Sequence, residues 1–132
     1  MKKFKIEILT PEKTFYEGEI ESLVVESPGG KIGILAGHAQ YAVGLSPAEL
    51  KMKADGKEIT AVNGEGFVEV TPEKVIVLCQ TAEWPHEIEL NRVRREIEES
   101  QRRLKEAQSR VEYNLSKTTL RRLLAKLKVA KK

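Results

Sequence analysis

The sequence is poor in cysteine and in aromatic residues, and it has no long hydrophobic run. Cys79 is the only cysteine among 132 residues, which excludes an internal disulfide framework and favours a reducing compartment. No stretch approaches the roughly 18 apolar residues that span a bilayer. The N-terminus alternates polar and apolar residues instead of forming the apolar segment of a signal peptide. We therefore expect a soluble chain.

Motifs of catalytic and metal sites are also missing. The chain has no glycine-rich phosphate loop ending in Lys-Ser or Lys-Thr, no metal-spaced histidine–cysteine cluster and no nucleophile elbow. Of the two histidines, His38 lies in a glycine-flanked loop, where a structural or contact role is expected, and His86 stands apart from it. Cys79 lies within an apolar segment, as a structural cysteine does. We predict no catalytic residue, no metal site and no required cofactor.

Charge is unevenly divided along the chain. Residues 1–86 hold nine bases and thirteen acids, a net −4, whereas residues 87–132 hold fourteen bases and seven acids, a net +7. Residues 113–132 carry seven bases and no acid. This asymmetry indicates an anionic partner, which could be a protein, a nucleic acid, a membrane surface or a nucleotide. Because Tyr113 is the only aromatic residue of the basic segment, nucleic-acid and membrane-surface binding are disfavoured.

Short apolar stretches separated by turn residues make up the first 86 residues. Residues 4–8 alternate between apolar and charged side chains, the period of a half-buried strand. Asp55-Gly56, between alternating stretches, is a strong hairpin signal. Val75–Cys79 is continuously apolar, as expected of a strand buried on both faces. The other stretches are 15–26, 32–35, 41–45, 48–52, 58–62 and 67–70. Turn signals every 8–12 residues predict a small β-sandwich or barrel.

From His86 onward the chain has neither glycine nor proline, and nearly every residue favours helix. Apolar residues recur seven positions apart, with small residues between them, which predicts a helix with a seam for a close neighbour. These residues are Leu90, Val93, Ile97, Ser100, Leu104, Ala107 and Val111. Pairs spaced four apart support this helix: Glu98–Arg102, Glu99–Arg103 and Glu106–Arg110.

A second helix is indicated by the capping-box pattern of Ser109–Glu112. It would present Leu115, Leu120, Leu123, Leu124 and Leu127. Because no residue forces a stop before Ser109, the segment is compatible with a helical hairpin or with one long helix. We place a β domain at residues 1–86 and a helical domain at 87–132, with helices at about 88–107 and 110–130. The helical pair is expected to depend on docking for its stability.

Three motifs and the order of their elements resemble the epsilon subunit of F-type ATP synthases. Residues 30–38, GKIGILAGH, are similar to the family's G-x-x-G-I-L-P-G-H segment, and residues 63–70, NGEGFVEV, to its G-G-F-x-E-V segment. Residues 8–12, ILTPE, resemble its opening strand and turn. Ala36 and Gln40 replace prolines that are usual in the family, which leaves the first segment freer. The resemblance covers essentially the whole chain.

The resemblance implies an antiparallel β-sandwich of about ten strands followed by a two-helix hairpin that is able to extend. It also implies a non-catalytic subunit that couples the catalytic head to the membrane rotor ring and inhibits ATP hydrolysis. The partners would be the gamma subunit, the rotor-ring c subunits and the alpha and beta subunits, without nucleic acid or self-association. The subunit would be peripheral on the cytoplasmic face of the cell membrane, held there only through the complex.

Two contact surfaces are implied in the same way. The segment near the rotor ring would use Gly30, Ile32, Gly33, Leu35, Gly37 and His38. The extended arm would bring basic residues to an acidic segment of the catalytic beta subunit. These residues are Arg121, Arg122, Lys126 and Lys128. On this reading they lack acids within the chain because the acids belong to the partner.

Some members of the family bind ATP on the folded helices through an (I/L)-D-x-x-R-A motif. Here residues 88–93 read IELNRV, so Arg92 matches, while Glu89 and Val93 depart from the pattern. Glu99 stands where a further arginine is found, and an acid there repels a triphosphate. The positions implied for ATP, as a weak regulatory ligand, are Glu83, Glu89, Arg92, Arg122 and Lys126, the last replacing an arginine. We expect weak or absent ATP binding.

The main alternative is a free-standing β-plus-helix module that binds nucleic acid through its basic tail. A strongly salt-dependent shift of DNA or RNA in a gel, without association with an ATPase head, would favour that alternative.

Overall fold

The computed structural model describes residues 2–106 and 110–130, and for residues 110–112 it describes only the backbone course. In these ranges the chain forms ten strands, a 3₁₀ turn and two helices, in that order. The strands are β1 Phe4–Leu9, β2 Thr14–Ile20, β3 Ser22–Ser27, β4 Gly30–Leu35, β5 Tyr41–Leu45, β6 Ala48–Ala54, β7 Lys57–Asn63, β8 Gly66–Val70, β9 Lys74–Cys79 and β10 Ala82–Glu83. The turn is Pro85–Glu87, and the helices are α1 Leu90–Glu106 and α2 Arg110–Ala130.

The strands form two five-stranded sheets that pack face to face. The order in one sheet is β2-β1-β9-β8-β5, called sheet A here, and the order in the other, sheet B, is β10-β7-β6-β3-β4. Every described pairing is antiparallel except that of β1 with β9, which runs parallel from Lys5 opposite Lys74 to Leu9 opposite Leu78. The predicted fold class, a β-sandwich followed by two helices, is confirmed.

Alternating apolar residues of both sheets point inward and form the core. Along β1 this places Phe4, Ile6 and Ile8 inside, while the charged residues between them face outward. Phe15 stacks on Trp84 with ring centroids 4.3 Å apart, so the end of the β region is fastened to its second strand. The sandwich therefore has its own continuous hydrophobic core.

Two expectations for the strands are wrong in detail. The stretch 15–26 is divided at Glu21, because the chain leaves sheet A after β2 and enters sheet B at β3. β9 is buried fully on its inner face only, since Ile76 and Leu78 on the other face remain half-buried. The two-residue strand β10 was not anticipated, because it is too short to show a period.

Glycine is required at one turn and at one strand position of the sandwich. Asp55 and Gly56 both adopt positive φ, 51° and 77°, as the two-residue hairpin between β6 and β7 demands. At Gly66 a Cβ atom would overlap the carbonyl oxygen of Leu78 and lie 2.7 Å from Cα of Cys79. Strands β8 and β9 can approach each other there only because residue 66 has no side chain.

The helices pack against each other through a small apolar seam. Val93, Ile97 and Leu123 are buried together, with Leu120 and Leu127 packed around them. Because the first half of α1 meets the second half of α2, the two helices run antiparallel, and the hairpin is the arrangement observed. α2 also lies on β6 and β7, so the helical arm (residues 88–130) covers part of sheet B.

Several expectations for the arm need correction. Leu115 and Leu124 are 65% and 45% exposed, so the α2 seam is narrower than its leucine pattern indicates. Glu99 pairs with Arg103 as expected, whereas Glu98 and Arg102 form no ion pair with a described side chain. The capping box at Ser109 and the Glu106–Arg110 pair lie outside the described residues. The division into two domains and the ability of the arm to extend stay predictions.

No helix in the described ranges is both long and apolar enough to cross a membrane.

Candidate functional site

The segment expected at the rotor ring is mostly an edge strand and not a loop. Residues 30–35 form β4, which pairs with β3 on one side and leaves its other edge without a strand partner in sheet B. Only residues 36–40 form a loop. At about 3.3 Å per residue, β4 separates Gly30 from Leu35 by roughly 17 Å. The predicted contact residues are therefore spread along the length of the strand and are not gathered in one loop.

Leu35 and His38 are the two side chains of this segment that are best suited to contact a partner protein. Leu35 is 55% exposed, unusually open for a leucine. His38 is half-buried, and its ring is nearly perpendicular to that of Phe4, with centroids 5.6 Å apart. Its Nδ1 is buried without a hydrogen-bond partner among the described residues. Gly37 has φ of 81°, which turns the chain sharply between them.

An ion pair joins the helical arm to the sandwich. Lys126 of α2 contacts the carboxylate of Glu83 in β10, and their side chains are 16% and 28% exposed. β10 is held at the edge of β7, where Glu83 lies opposite Val62. Lys126 therefore has an acid within the chain, and the prediction that it lacks one is wrong. The signal was missed because the partners are far apart in sequence and meet only when the arm docks.

The other three basic residues of the predicted inhibitory surface are arranged differently. Arg121 and Lys128 are exposed, and Arg122 is half-buried. None of the three forms an ion pair with another side chain that the structure describes. The Nε of Arg122 is buried without a hydrogen-bond partner in the described part of the chain. It lines a cavity of about 290 Å³ that also takes in Gln80 and Thr118.

The structure brings together only some of the residues considered for ATP. Glu83 and Lys126 neutralise each other, and Arg92 donates from Nε to Glu96 at 3.1 Å. Glu89 is exposed just before α1. The cavity beside Arg122 is lined by none of the other four.

Two residues that depart from the ATP pattern also have structural roles. Val93 is buried in the helix seam, where its methyl groups pack against α2. Glu99 is engaged by Arg103 one turn further along α1. Val93 therefore contributes to the packing between the helices, whereas the Glu99 pair lies within α1 alone.

Cys79 is 5% exposed, and its thiol lies 3.9 Å from the carbonyl oxygen of Leu9. Burial raises the pKa of the thiol from 9.0 to about 11, so the reactive thiolate is scarce at neutral pH. Among the described residues no group of histidine, cysteine, aspartate or glutamate side chains has the arrangement of a metal site.

A second cavity was not anticipated from the sequence. It measures about 500 Å³ and lies between α2 and sheet B, where it brings Lys31 and Lys51 of the strands near Arg121 and Lys128 of the helix. The alternation of the strands could have placed Lys31 and Lys51 on one outward face. The strand alternation does not indicate which face of α2 covers this part of sheet B.

Residues 3–85 match the family model described as the beta-sandwich domain of the ATP synthase delta/epsilon chain. An ATP synthase epsilon chain from Ruminiclostridium cellulolyticum is 41% identical over 127 residues, 96% of this chain and 95% of the relative. Another, from Ruminococcus albus, is 37% identical over 133 residues, 100% of this chain and 99% of the relative. These matches extend through the helical arm.

Two solved structures share the fold at lower identity. A chain in a structure of the Euglena gracilis mitochondrial ATP synthase, comprising OSCP, F1 and c-ring, superposes with a TM-score of 0.82 at 18% identity. The match covers 98% of this chain and 82% of that one. A chain in the central stalk and c-ring structure of the Tetrahymena thermophila enzyme gives a TM-score of 0.67 at 13% identity, covering 98% and 97%.

Proposed function

The chain belongs to the ATP synthase delta/epsilon chain family, and from that premise we propose that it is the epsilon subunit of an F-type ATP synthase central stalk. We propose further that its helical arm restrains ATP hydrolysis by the catalytic head. Family membership agrees with the prediction of a subunit without a catalytic site of its own. The alternative of a free-standing nucleic-acid-binding module has no support from these relatives.

The observation that carries the regulatory proposal is the small seam of the arm. Among the side chains that the structure describes, Val93, Ile97 and Leu123 form the buried apolar cluster between α1 and α2, and the ion pair of Lys126 with Glu83 adds a polar contact with the sandwich. A fully buried aliphatic side chain contributes about 1.5–3 kcal/mol. A docked state held by so few contacts lies within a few kcal/mol of a released state, as a two-state regulator requires.

Removal of the arm is the direct test. ATP hydrolysis by the assembled enzyme is expected to rise when residues 87–132 are deleted, because the restraining segment is gone. A variant in which Arg121, Arg122, Lys126 and Lys128 are changed to alanine is expected to reproduce most of that rise. The matched control removes four exposed bases of α1, namely Arg94, Arg95, Arg102 and Lys105. Unchanged hydrolysis in the deletion variant, with the enzyme fully assembled, would refute the regulatory role.

Coupling to the rotor ring is proposed for the free edge of β4 and the loop that follows it. Its support is the exposure of Leu35 on β4, an edge strand that contains two glycines. Leu35→Glu is expected to weaken retention of the subunit by detergent-solubilised rotor ring about tenfold, because it places a charge in an apolar contact. Leu115→Glu is the control, because Leu115 is exposed by 65% but lies on the arm, and this variant should bind normally. Equal retention of both variants and the parent would contradict this contact.

By this proposal the subunit works at the cytoplasmic face of the cell membrane as a peripheral part of the complex. Its neighbours there are the gamma subunit, the c subunits and the alpha and beta subunits.

We also propose that ATP binds weakly or not at all to the folded arm. Lys126, a base that a triphosphate would need, is already paired with Glu83. Glu99, an acid that repels a triphosphate, is held in place by Arg103. Glu89→Asp, Glu99→Arg and Lys126→Arg combined in one variant are expected to create measurable ATP binding in calorimetry. Micromolar 1:1 binding of ATP by the unmodified chain would overturn this proposal.

A further inference from the structure

Four bases in the second half of α2 form two pairs on different faces of the helix. Arg121 and Lys128 are seven residues apart, so they lie on one face, and both are exposed. Arg122 and Lys126 are four residues apart on a face that meets the sandwich, and both are half-buried. Docking of the arm therefore covers two of these bases and leaves the other two open to solvent.

Glu83 supplies the carboxylate that Lys126 contacts in the docked arm. It belongs to β10 at the edge of sheet B, where it lies opposite Val62. The next residue, Trp84, stacks on Phe15 of β2. The backbone of Glu83 is thus held on both sides by contacts within the sandwich, and the carboxylate stays with the sandwich when the arm moves.

The contact with Glu83 makes Lys126 inaccessible to another protein. The Lys126 side chain is 16% exposed, so a second carboxylate can reach it only after α2 has moved. Residues 113–132 carry seven bases and no acid, which indicates an acidic partner for this part of the chain. Glu83 offers Lys126 the same chemical group as such a partner. The docked and the partner-bound positions of Lys126 therefore exclude each other.

We propose that Glu83 is an internal competitor for the acidic protein surface that α2 binds. In the proposed function, on which this inference rests, the released arm restrains hydrolysis by the catalytic head. Glu83 opposes that restraint, because it occupies Lys126 until a partner carboxylate replaces it. Arg121 and Lys128 are exposed in the docked arm and can make the first contact with the acidic surface. Lys126 joins them only when α2 leaves sheet B.

Arg122 acts in the opposite direction to Glu83. Its Nε is buried without a hydrogen-bond partner in the described part of the chain. A buried donor without a partner carries a desolvation cost, which release of the arm removes. The docked position thus provides a carboxylate for Lys126 while it leaves part of the Arg122 guanidinium unsatisfied. Glu83 therefore holds back a release that Arg122 favours.

Competition predicts different results for the two members of the ion pair. Loss of Glu83 removes a contact from the docked state alone, so it shifts the arm towards the partner. Loss of Lys126 removes one ion pair from the docked state and one from the partner-bound state, so the two effects nearly cancel. A pair that only held the arm in place would give the same shift in both variants.

ATP hydrolysis by the assembled enzyme tests this difference. Glu83→Gln is expected to lower hydrolysis about threefold, the effect of one partly exposed ion pair, whereas Lys126→Gln should remain close to the parent. Glu58→Gln, which removes an exposed acid at the start of β7, is the matched control and should leave hydrolysis unchanged. Unchanged hydrolysis in Glu83→Gln, or an equal decrease in Lys126→Gln, would overturn the competition.

Deletion of residues 87–132 in the same enzyme separates this inference from the regulatory role of the arm. If the deletion raises hydrolysis but Glu83→Gln does not lower it, the arm restrains the head and Glu83 is not a competitor. If the deletion leaves hydrolysis unchanged, the regulatory role fails, and binding to an acidic probe decides whether Glu83 competes.

Polyglutamate is the acidic probe, used with the isolated full-length chain at low salt and without nucleotide. Glu83→Gln is expected to bind it about threefold more tightly than the parent, while Lys126→Gln and Glu58→Gln should bind as the parent does. Amide exchange in α2 of the parent should become faster when polyglutamate is added, and circular dichroism should show all variants folded. Absence of binding, or equal affinities of the parent and Glu83→Gln, would overturn the inference. So would an equal gain in Glu58→Gln, which indicates a general effect of net charge.

Discussion

Among the side chains that the structure describes, the sandwich buries seventeen hydrophobic ones in one cluster, whereas the seam between the two helices buries three. The sandwich thus has a core of its own, whereas the helical arm depends on contacts with the sandwich for much of its stability. Two further contacts of the arm, the Lys126–Glu83 pair and the packing of α2 on sheet B, involve the sandwich and not the arm alone. The comparison predicts that the sandwich accounts for most of the stability of the fold and that the arm unfolds or detaches more easily than the sandwich.

The largest effect is expected from Gly66→Ala, which tests how tightly the sandwich is packed. The new Cβ would overlap Leu78 in the neighbouring strand, and backbone cannot yield there as a flexible side chain could. We expect the free energy of unfolding in urea to fall by about 4 kcal/mol or more. Gly44→Ala on edge strand β5 is the matched control, because its Cβ would meet nothing within 4 Å. Equal stability of the two variants would show that β8 and β9 can separate freely.

A pair of leucine substitutions separates the two regions. Leu23 of the sandwich and Leu123 of the arm are both fully buried. Leu23→Ala should lower the free energy of global unfolding by about 2–5 kcal/mol. Leu123→Ala should instead speed amide exchange in α1 and α2 by roughly 30-fold or more while the strands keep their protection. If Leu123→Ala lowered protection evenly throughout the chain, the arm would be part of the same cooperative unit as the sandwich.

The buried thiol of Cys79 makes the sandwich less stable as the pH rises into the alkaline range. Because the folded-state pKa of about 11 lies above the ordinary value of 9.0, the unfolded chain loses its proton first as pH rises. The folded state is therefore disfavoured progressively above pH 9, by about 2 kcal/mol at pH 11. Chemical unfolding of the parent and of Cys79→Ala at pH 8 and pH 11 should show this difference in slope. Parallel pH profiles would mean that the thiol titrates normally.

The smallest effect is expected for the ion pair between the regions. A double-mutant cycle with Glu83→Gln and Lys126→Gln should give a coupling of about 1 kcal/mol, measured by amide exchange in α2. The coupling should shrink at high salt because both side chains remain partly exposed. Exchange in the strands is the internal control and should not change. A coupling near zero would mean that the packing of α2 on β6 and β7, and not this ion pair, holds the arm on the sandwich.

Much of the sandwich could be predicted because its strands alternate and its turns carry glycine or proline. Asp55-Gly56 is an example, since the hairpin conformation needs positive φ that these residues adopt. The break at Glu21 could not be predicted, because the chain changes sheets there without a turn residue. Leu115 and Leu124 look like seam residues in the sequence. The face that α2 buries is set by its packing against α1 and sheet B, and this packing leaves both leucines exposed.

The sites were predictable to a smaller extent. The family resemblance singled out Lys126 and Glu83, but not as partners of each other, because their contact depends on how the arm docks. For the same reason Lys31 and Lys51 were not connected with Arg121 and Lys128. Local patterns report the face of a strand or helix, whereas the meeting of two faces depends on the packing of the whole chain.

The parallel pairing of β1 with β9 has a consequence for the order in which the protein forms. β1 is made first, yet it cannot be enclosed in sheet A until Lys74–Cys79 have been synthesised. At a synthesis rate of 5–20 residues per second, β9 is completed roughly 3–14 s after β1. The hairpins β3–β4 and β6–β7 join strands that are neighbours in sequence, so their pairing does not depend on residues made later. The arm is made last, so it reaches a sandwich whose strands are already present and whose docking surface on β6 and β7 can receive it.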